Sequence, residues 1–290
     1  MKSSRSEFIA IRGLRYHVRH WGNPQAPAII MLHGWMDVSA SFQFLVDALA
    51  QDWHVIAPDW RGFGLTQHAS GGYWYPDYLA DLEAMLDHYS PQSPVNLLGH
   101  SLGANVAGLY AGIRPTRIRK LIDVEGFGMP NAVPCEAPAR YAQWLDALKE
   151  PPGLRSYASR KEVAARLQKT NPRLSDERAA FLASHWAAPD ESGRWHILAD
   201  TAHRLPNPTL YRVEEILACW RAIEAPVLWI EAIDSELTSR LDAGQGARAE
   251  IDRRIAFIPN VTMLMVDAAG HMVHHDQPEV MAAAIERFLA

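Results

Sequence analysis

The stretch "VNLLGHSLGANVAGLYAG" (residues 95–112) runs from an apolar segment into Gly99, His100, Ser101, Leu102 and Gly103, then into small residues of helical character. A serine hydroxyl is a poor nucleophile at neutral pH. It becomes useful when a base takes its proton and nearby donors receive the charge that develops on the attacked group. A sharp strand-to-helix turn supplies part of that arrangement, because it holds the serine in a strained conformation with Oγ clear of the backbone. Gly99 and Gly103, with Ala104 beyond, leave room for strand and helix to approach. The N–H of Leu102, at the helix start, is aimed where negative charge would form. Composition alone yields a G-x-S-x-G in roughly one chain of this length in ten, so the motif carries weight only with partners.

Partners stand at other predicted strand ends. In "AAGHMVHHDQPE", His271 lies on the loop before the C-terminal helix and is the candidate general base, a role typically worth roughly 10²- to 10⁴-fold. A metal site built from His271, His274, His275 and Asp276 is the competing reading. It is disfavoured because no distant ligand set completes it and the stretch does not read as one helix face. "MLHGW" puts the N–H of Trp35 in place as a second oxyanion donor, with His33 as a structural ring that hydrogen-bonds the turn. Trp35 could alternatively serve as pocket wall. An acid must hold the imidazole in its productive tautomer, and two strand ends offer one: Glu125 in "LIDVEGFG" and Asp234 in "VLWIEAIDSE". Asp123 and Glu231 fall within or beside the strand runs and are poorer candidates.

The elements that must position these groups alternate in type. "FIAIRGLRYHVRHWG" predicts a leading hairpin. "APAIIMLHGW", "HVIAPDW", "PVNLLGHS", "IRKLIDVEG", "APVLWIEAI" and "VTMLMVDAAGH" predict strands buried on both faces. Between them, "YPDYLADLEAMLDHYS" predicts a crossover helix with Leu79, Leu82, Leu86 and Tyr89 on one face. Met281, Ile285 and Phe288 mark the buried face of a helix starting near Pro278. This alternation predicts an α/β fold, a mostly parallel doubly wound sheet wrapped by helices. It lapses between about Phe127 and Asn207, where prolines punctuate helical segments such as "ARYAQWLDALKE", "RKEVAARLQK" and "SDERAAFLASHW". A core of residues 1–127 and 210–290 with a helical cap insertion at 128–209 is the expected organisation. The cap would lie over the carboxyl ends of the strands, where ligands bind in such sheets.

Bulk properties narrow the function classes. The chain has 290 residues and is 48% hydrophobic and 21% charged, enough for a large core. Its net charge is −5 with both signs interspersed, which speaks against a nucleic-acid surface. "MKSSRSEFIA" has no apolar signal core, and runs such as "AIIML" are far shorter than a membrane span. Cys135 and Cys219 stand in no metal or redox spacing. A cytoplasmic protein, monomeric or homodimeric, acting on a small molecule is the expectation. Trp144, Trp186, Trp195 and Trp220 fall in or near the insertion, and Trp35, Trp60 and Trp74 in loops beside strand ends. They either line an aromatic pocket or pack the insertion onto the core.

Taken together, Gly99-His100-Ser101-Leu102-Gly103, His33-Gly34, "DWRGFG" (residues 59–64) and "AGHMVHHDQPE" resemble the α/β-hydrolase superfamily across essentially the whole chain. The resemblance implies a Ser-His-acid triad, no cofactor and no metal. It leaves the reaction open among esterases, lipases, C–C bond hydrolases and others. Dehalogenases and epoxide hydrolases of this fold use an aspartate where this chain has Ser101, which disfavours both reactions. Members most often carry the acid after the strand that follows the cap, the place of Asp234. Here "WIEAIDSE" lacks the expected glycine, whereas "DVEGFGMP" resembles a subset, including some haloalkane dehalogenases, with a glutamate before the cap. Glu125 is therefore favoured over Asp234. The expected activity is cleavage of a carboxylic ester or related acyl bond of a small, partly apolar substrate. The alternatives are a C–C bond hydrolase of aromatic catabolism and a hydrolase-like binding protein.

Overall fold

Strands that are apolar on both faces must be covered on both sides, and the chain satisfies this with one eight-stranded sheet between two helical layers. The computed structural model describes residues 1–236 and 246–290. In chain order the sheet strands are β1 (Ser4–Ile11), β2 (Leu14–Trp21), β3 (Ala28–Leu32), β4 (His54–Pro58), β5 (Val95–His100), β6 (Ile118–Val124), β10 (Val227–Ala232) and β11 (Val261–Val266). They lie in the order β1-β2-β4-β3-β5-β6-β10-β11. The pairs β1·β2 and β2·β4 are antiparallel, and the remainder from β4 to β11 are parallel. The leading hairpin and all six predicted strands are present.

Alternate residues of one strand feed opposite cores, as the two-residue period of a strand requires. Ile30 and Leu32 of β3, Leu97 of β5, and Val227 and Trp229 of β10 face one layer. That layer includes α2 (Tyr75–Tyr89), α3 (Leu102–Ile113), α7 (Val213–Arg221) and α8 (Ala247–Ile255). Ile29, Met31, Leu98, Leu228 and Ile230 face the other, against α1 (Gln43–Ala48) and α10 (Pro278–Leu289). No helix among the described residues is long and apolar enough to cross a membrane.

Three expectations change in detail. Among the described residues β11 is an edge strand rather than one buried on both faces; it pairs there only with β10, and Met263 and Met265 are 41% and 46% exposed. Apolar content reports what a strand could bury, not whether a neighbour arrives to cover it. The buried face of α2 is Tyr78, Leu82, Met85 and Leu86 around Asp81, with Leu79 only partly covered. Asp81 belongs there because it pairs with Arg61 and accepts from Tyr16, a polar anchor that an apolar period cannot register. Between β6 and α7 the chain forms α4 (Ala137–Lys149), α5 (Arg160–Thr170) and α6 (Asp176–Trp186). A small antiparallel sheet accompanies them, of β7 (Ser156–Tyr157), β8 (Ala187–Pro189) and β9 (Trp195–Ile197). Its strands are too short to show a period. The β8–β9 turn is set by Asp190, whose carboxylate accepts from the N–H groups of Ser192 and Arg194, and by Gly193 at φ 80°.

Helix α3 passes unusually close to the sheet. A Cβ on Gly99 would collide with the backbone of Gly103 and Ala104, and one on Gly103 with the carbonyl oxygen of Leu32 at the end of β3. Further along, a Cβ on Gly112 would strike the Cys219 carbonyl of α7, which explains the run of small residues in this helix. Gly103→Ala is therefore expected to destabilise the protein by about 3 kcal/mol or more, since the obstacle is backbone that cannot rotate away. Gly153→Ala, which meets nothing within 4 Å, should change stability by no more than about 0.5 kcal/mol. Urea unfolding of both variants checks the contrast.

Candidate active site

Ser101 sits between β5 and α3 at φ 53°, ψ −113°, in backbone territory that a non-glycine residue occupies only under constraint. The constraint is visible: its N–H donates to the carbonyl of Val124 at the end of β6 (2.9 Å), and its carbonyl accepts from Asn105 in the first turn of α3 (2.9 Å). Leu102 is the first residue of the helix, so its N–H has no intrahelical acceptor. The loop after β3 crosses beside this turn. A Cβ on Gly34 would lie 3.3 Å from Cβ of Ser101 and 3.1 Å from Nδ1 of His100. The peptide that joins Gly34 to Trp35 is thereby held next to the serine, while the Trp35 side chain is 53% exposed. His33 ties the loop down: its Nδ1–H donates to the Gly34 carbonyl (2.7 Å), and its Nε2 accepts the N–H of Trp60 (2.8 Å). Burial lowers the His33 pKa to about 4, so the ring stays neutral and keeps both bonds.

Glu125 follows β6 at φ 59° and is 1% exposed. Its N–H donates to the Ile230 carbonyl of β10 (3.0 Å). One carboxylate oxygen, Oε1, accepts the N–H of Ala232 (2.8 Å); the other, Oε2, accepts the hydroxyl of Ser235 and lies 3.2 Å from Nδ1 of His271. Burial pushes the Glu125 pKa up to about 8, against the pull of the Ser235 and Ala232 donors. The His271 ring is 4.7 Å from that of His100, the residue before Ser101, and its backbone carbonyl accepts from Nε2 of His100 (2.9 Å). The ends of β5, β6, β10 and β11 thus bring Ser101, Glu125 and His271 to one rim.

Asp234 is turned elsewhere. It lies near the same rim but pairs with Arg173 of the inserted segment at 2.5 Å and is about half exposed. The residues of "HMVHHD" also disperse. His271 faces Glu125, His275 bonds to Ser41, and Asp276 accepts from the Gly270 N–H and the Asn171 amide. They share no common ligand position. Trp220, grouped with the insertion by sequence, is buried in the core, as is Trp60.

Sequence reasoning missed the supports. Ser235 holds Glu125; its only signal was adjacency to a rival acid. The inserted segment reaches the rim through Trp186, whose indole N–H donates to the Met36 carbonyl (2.7 Å), and through Asn171 and Arg178, which grip the loop after His271. None of these contacts has a spacing that a sequence displays.

The α/β hydrolase fold model matches residues 27–278. The chain belongs to the α/β-hydrolase family. It is 27% identical over 284 residues to a serine hydrolase-like protein of Danio rerio, covering 93% of this chain and 83% of that one. Among solved structures it is similar to a thioesterase domain from the curacin biosynthetic pathway, with TM-score 0.86 and 23% identity over 98% of this chain and 99% of that one. A hypothetical protein of Pseudomonas aeruginosa PAO1 superposes with TM-score 0.82 and 27% identity, covering 98% and 97% of the two chains.

The buried ionisable groups of this hydrolase set a pH optimum for stability. Among the carboxyls away from His271, burial raises Asp37 to about 7 and Asp123 to about 8. The folded state therefore keeps protons that the unfolded chain releases at the ordinary carboxyl pKa, and stability falls as pH rises toward 8. Burial lowers His33 to about 4 and His203 and His275 to about 3, with His100 and His274 also well below the usual imidazole value. Below the unfolded histidine pKa the unfolded chain binds protons that these rings refuse, so stability also falls on acidification. With His20, also lowered to about 4, six histidines outnumber the two acids where the windows overlap. Scanning calorimetry from acid to alkaline pH should therefore give a Tm maximum near roughly pH 7, with decline on both sides; a Tm still rising above pH 8 would contradict the assignment.

Proposed function

We propose that the protein is a serine hydrolase that cleaves a carboxylic ester or related acyl bond of a small, partly apolar substrate. The observation that carries this reading is the approach of the fully buried Glu125 carboxylate to Nδ1 of His271, on the rim where His271 adjoins the Ser101 turn. A carboxylate there fixes the tautomer whose Nε2 carries the lone pair that accepts a proton. The Ala232 and Ser235 donors offset part of the burial penalty on Glu125, and the positive charge that His271 gains as it takes the proton favours the ionised carboxylate that this role needs. The serine hydrolase-like name of the zebrafish relative agrees.

In the proposed reaction Ser101 Oγ attacks the acyl carbon as His271 Nε2 takes the hydroxyl proton. The tetrahedral oxyanion is received by the N–H groups of Leu102 and Trp35. Collapse breaks the bond to the leaving group, which departs with the proton from His271, and an acyl-serine remains. Water, deprotonated by the same imidazole, then releases the acid. The pairing of Asp234 with Arg173 supports Glu125 as the acid.

Ser101→Ala is expected to abolish labelling by a fluorophosphonate probe and to lower kcat on short p-nitrophenyl esters by about 10⁴-fold or more. An unlabelled, folded wild-type protein would instead favour a binding role, and turnover of a ring-cleavage dienone in preference to esters would favour C–C bond hydrolysis. For the acid, Glu125→Gln should cost about 10⁴-fold in kcat, the magnitude of a lost tautomer lock, while Asp234→Asn stays within a few-fold. The reverse pattern would transfer the role to Asp234.

A further inference from the structure

Behind the His100–His271 contact lies a second polar cluster that the proposed reaction does not use. Asp37, His100 and His274 come from three distant segments, are 8%, 2% and 1% exposed, and each offers a possible ligand atom within 4.8 Å of the others. Oδ2 of Asp37, Nδ1 of His100 and Nδ1 of His274 are buried with no hydrogen-bond partner among the described residues. One unsatisfied buried polar atom costs roughly 1–3 kcal/mol, so three around one point call for a common partner.

The chemistry of that partner follows from where the hydrogens must be. Nε2 of His100 faces the carbonyl oxygen of His271 at 2.9 Å. A carbonyl only accepts, so Nε2 carries the proton and Nδ1 presents a lone pair. Nε2 of His274 lies 3.1 Å from Oγ of Ser41, and Nε2 of His275 lies 2.7 Å from the same oxygen. Nε2 of His275 also faces the carbonyl oxygen of Ser41 (3.2 Å), so that ring carries its proton on Nε2, and binding a cation requires His274 to donate from Nε2 to the Ser41 hydroxyl and turn the lone pair of Nδ1 inward. Gly34 keeps the approach to Nδ1 of His100 open, since a Cβ there would come within 3.1 Å of it. In that tautomer, and with Asp37 ionised, three electron-pair donors converge on one point.

We propose that Asp37, His100 and His274 form a binding site for one divalent transition-metal ion of the zinc class. Two imidazoles and a carboxylate, with a water completing a tetrahedron, suit Zn²⁺ or Co²⁺ and are poor ligands for the all-oxygen preference of Mg²⁺ or Ca²⁺. The outer contacts are already those of a metal site: the distal nitrogen of each histidine is bonded to a carbonyl or hydroxyl that orients the ring. Metal bonds of about 2.1 Å place tetrahedral ligands about 3.4 Å apart, so binding draws the cluster together by about 1 Å. The ion would clamp the loop that bears Trp35, the turn that bears Ser101 and the segment that follows His271. This site differs from the "HMVHHD" set weighed on sequence, and it stands independently of the hydrolase reading.

The test uses the full chain stripped with EDTA, incubated with ZnCl₂ and desalted. One zinc per chain by mass spectrometry of the metal is expected, with a Tm rise of roughly 5 °C at saturation and no response to MgCl₂. Asp37→Asn and His274→Gln should each lose both the bound zinc and the Tm rise, while His196→Gln, at an exposed pair with Asp190, keeps them. Zinc retained equally by the first two variants, or absent from the wild type, overturns the proposal. Should both variants fail to fold, Co²⁺ added to the wild-type protein decides: the visible absorption of four-coordinate Co²⁺ supports the site, and a spectrum of the hydrated ion refutes it.

Discussion

The close approach of α3 to the sheet at the carboxyl ends of β3 and β5 is the constraint on which the rest of the rim depends. Side-chain-free positions at Gly99 and Gly103 let backbone meet backbone, and the chain can turn from strand to helix in a single residue only because they do. Ser101 absorbs the turn in a conformation that costs of order 1–3 kcal/mol. The hydrogen bond from its N–H to Val124 and the buried packing of α3 hold it there. In the proposed reaction that strained turn supplies both the attacking Oγ and, at Leu102, the first N–H of the helix.

Around that turn the protein keeps an unusual number of ionisable groups out of water. Glu125, Asp123, Asp37, His33, His100, His274 and His275 are all buried within reach of the strand ends. Desolvation opposes charge on each of them, so every charged form that persists does so because donors were placed to receive it. Glu125 has the Ala232 N–H, the Ser235 hydroxyl and the His271 ring. His33, by contrast, remains neutral and is bonded at both ends, to the Gly34 carbonyl and the Trp60 N–H, while neutral His100 is bonded through Nε2 to the His271 carbonyl. The same low-dielectric surroundings that make an imidazole–carboxylate contact effective make the unpartnered atoms of the neighbouring cluster conspicuous.

The inserted segment is tied to this rim rather than merely resting near it. Trp186 bonds the loop that carries Trp35, Asn171 and Arg178 bond the segment after His271, and Arg173 occupies Asp234. Its own packing is modest: α4 has no buried residue, and the small clusters around Phe44 and Tyr157 supply what core it has. Polar ties at the rim and a thin core beneath them describe an element whose position is decided by a few contacts with the loops it covers.

Much of this was legible in the sequence because it rests on local physics. Two-residue and helical periods are set by backbone geometry, so the strands from Ala28 to Val266, the hairpin and the helix from Pro278 could be located from apolar pattern alone. Glycine at 99 and 103 around a serine marks a close approach that few other turns require. Glu125 and Asp234 both close predicted strands, and only the resemblance to family members with a glutamate before the cap favoured Glu125. Only the tertiary structure decided which carboxylate faces His271 and which is claimed by Arg173, that β11 lies at the sheet edge among the described residues, and that Asp37, His100 and His274 meet. Those outcomes depend on which segments arrive beside one another across separations of tens to hundreds of residues. Burial, hydrogen-bond satisfaction and charge pairing are properties of that meeting and not of any stretch of chain taken alone.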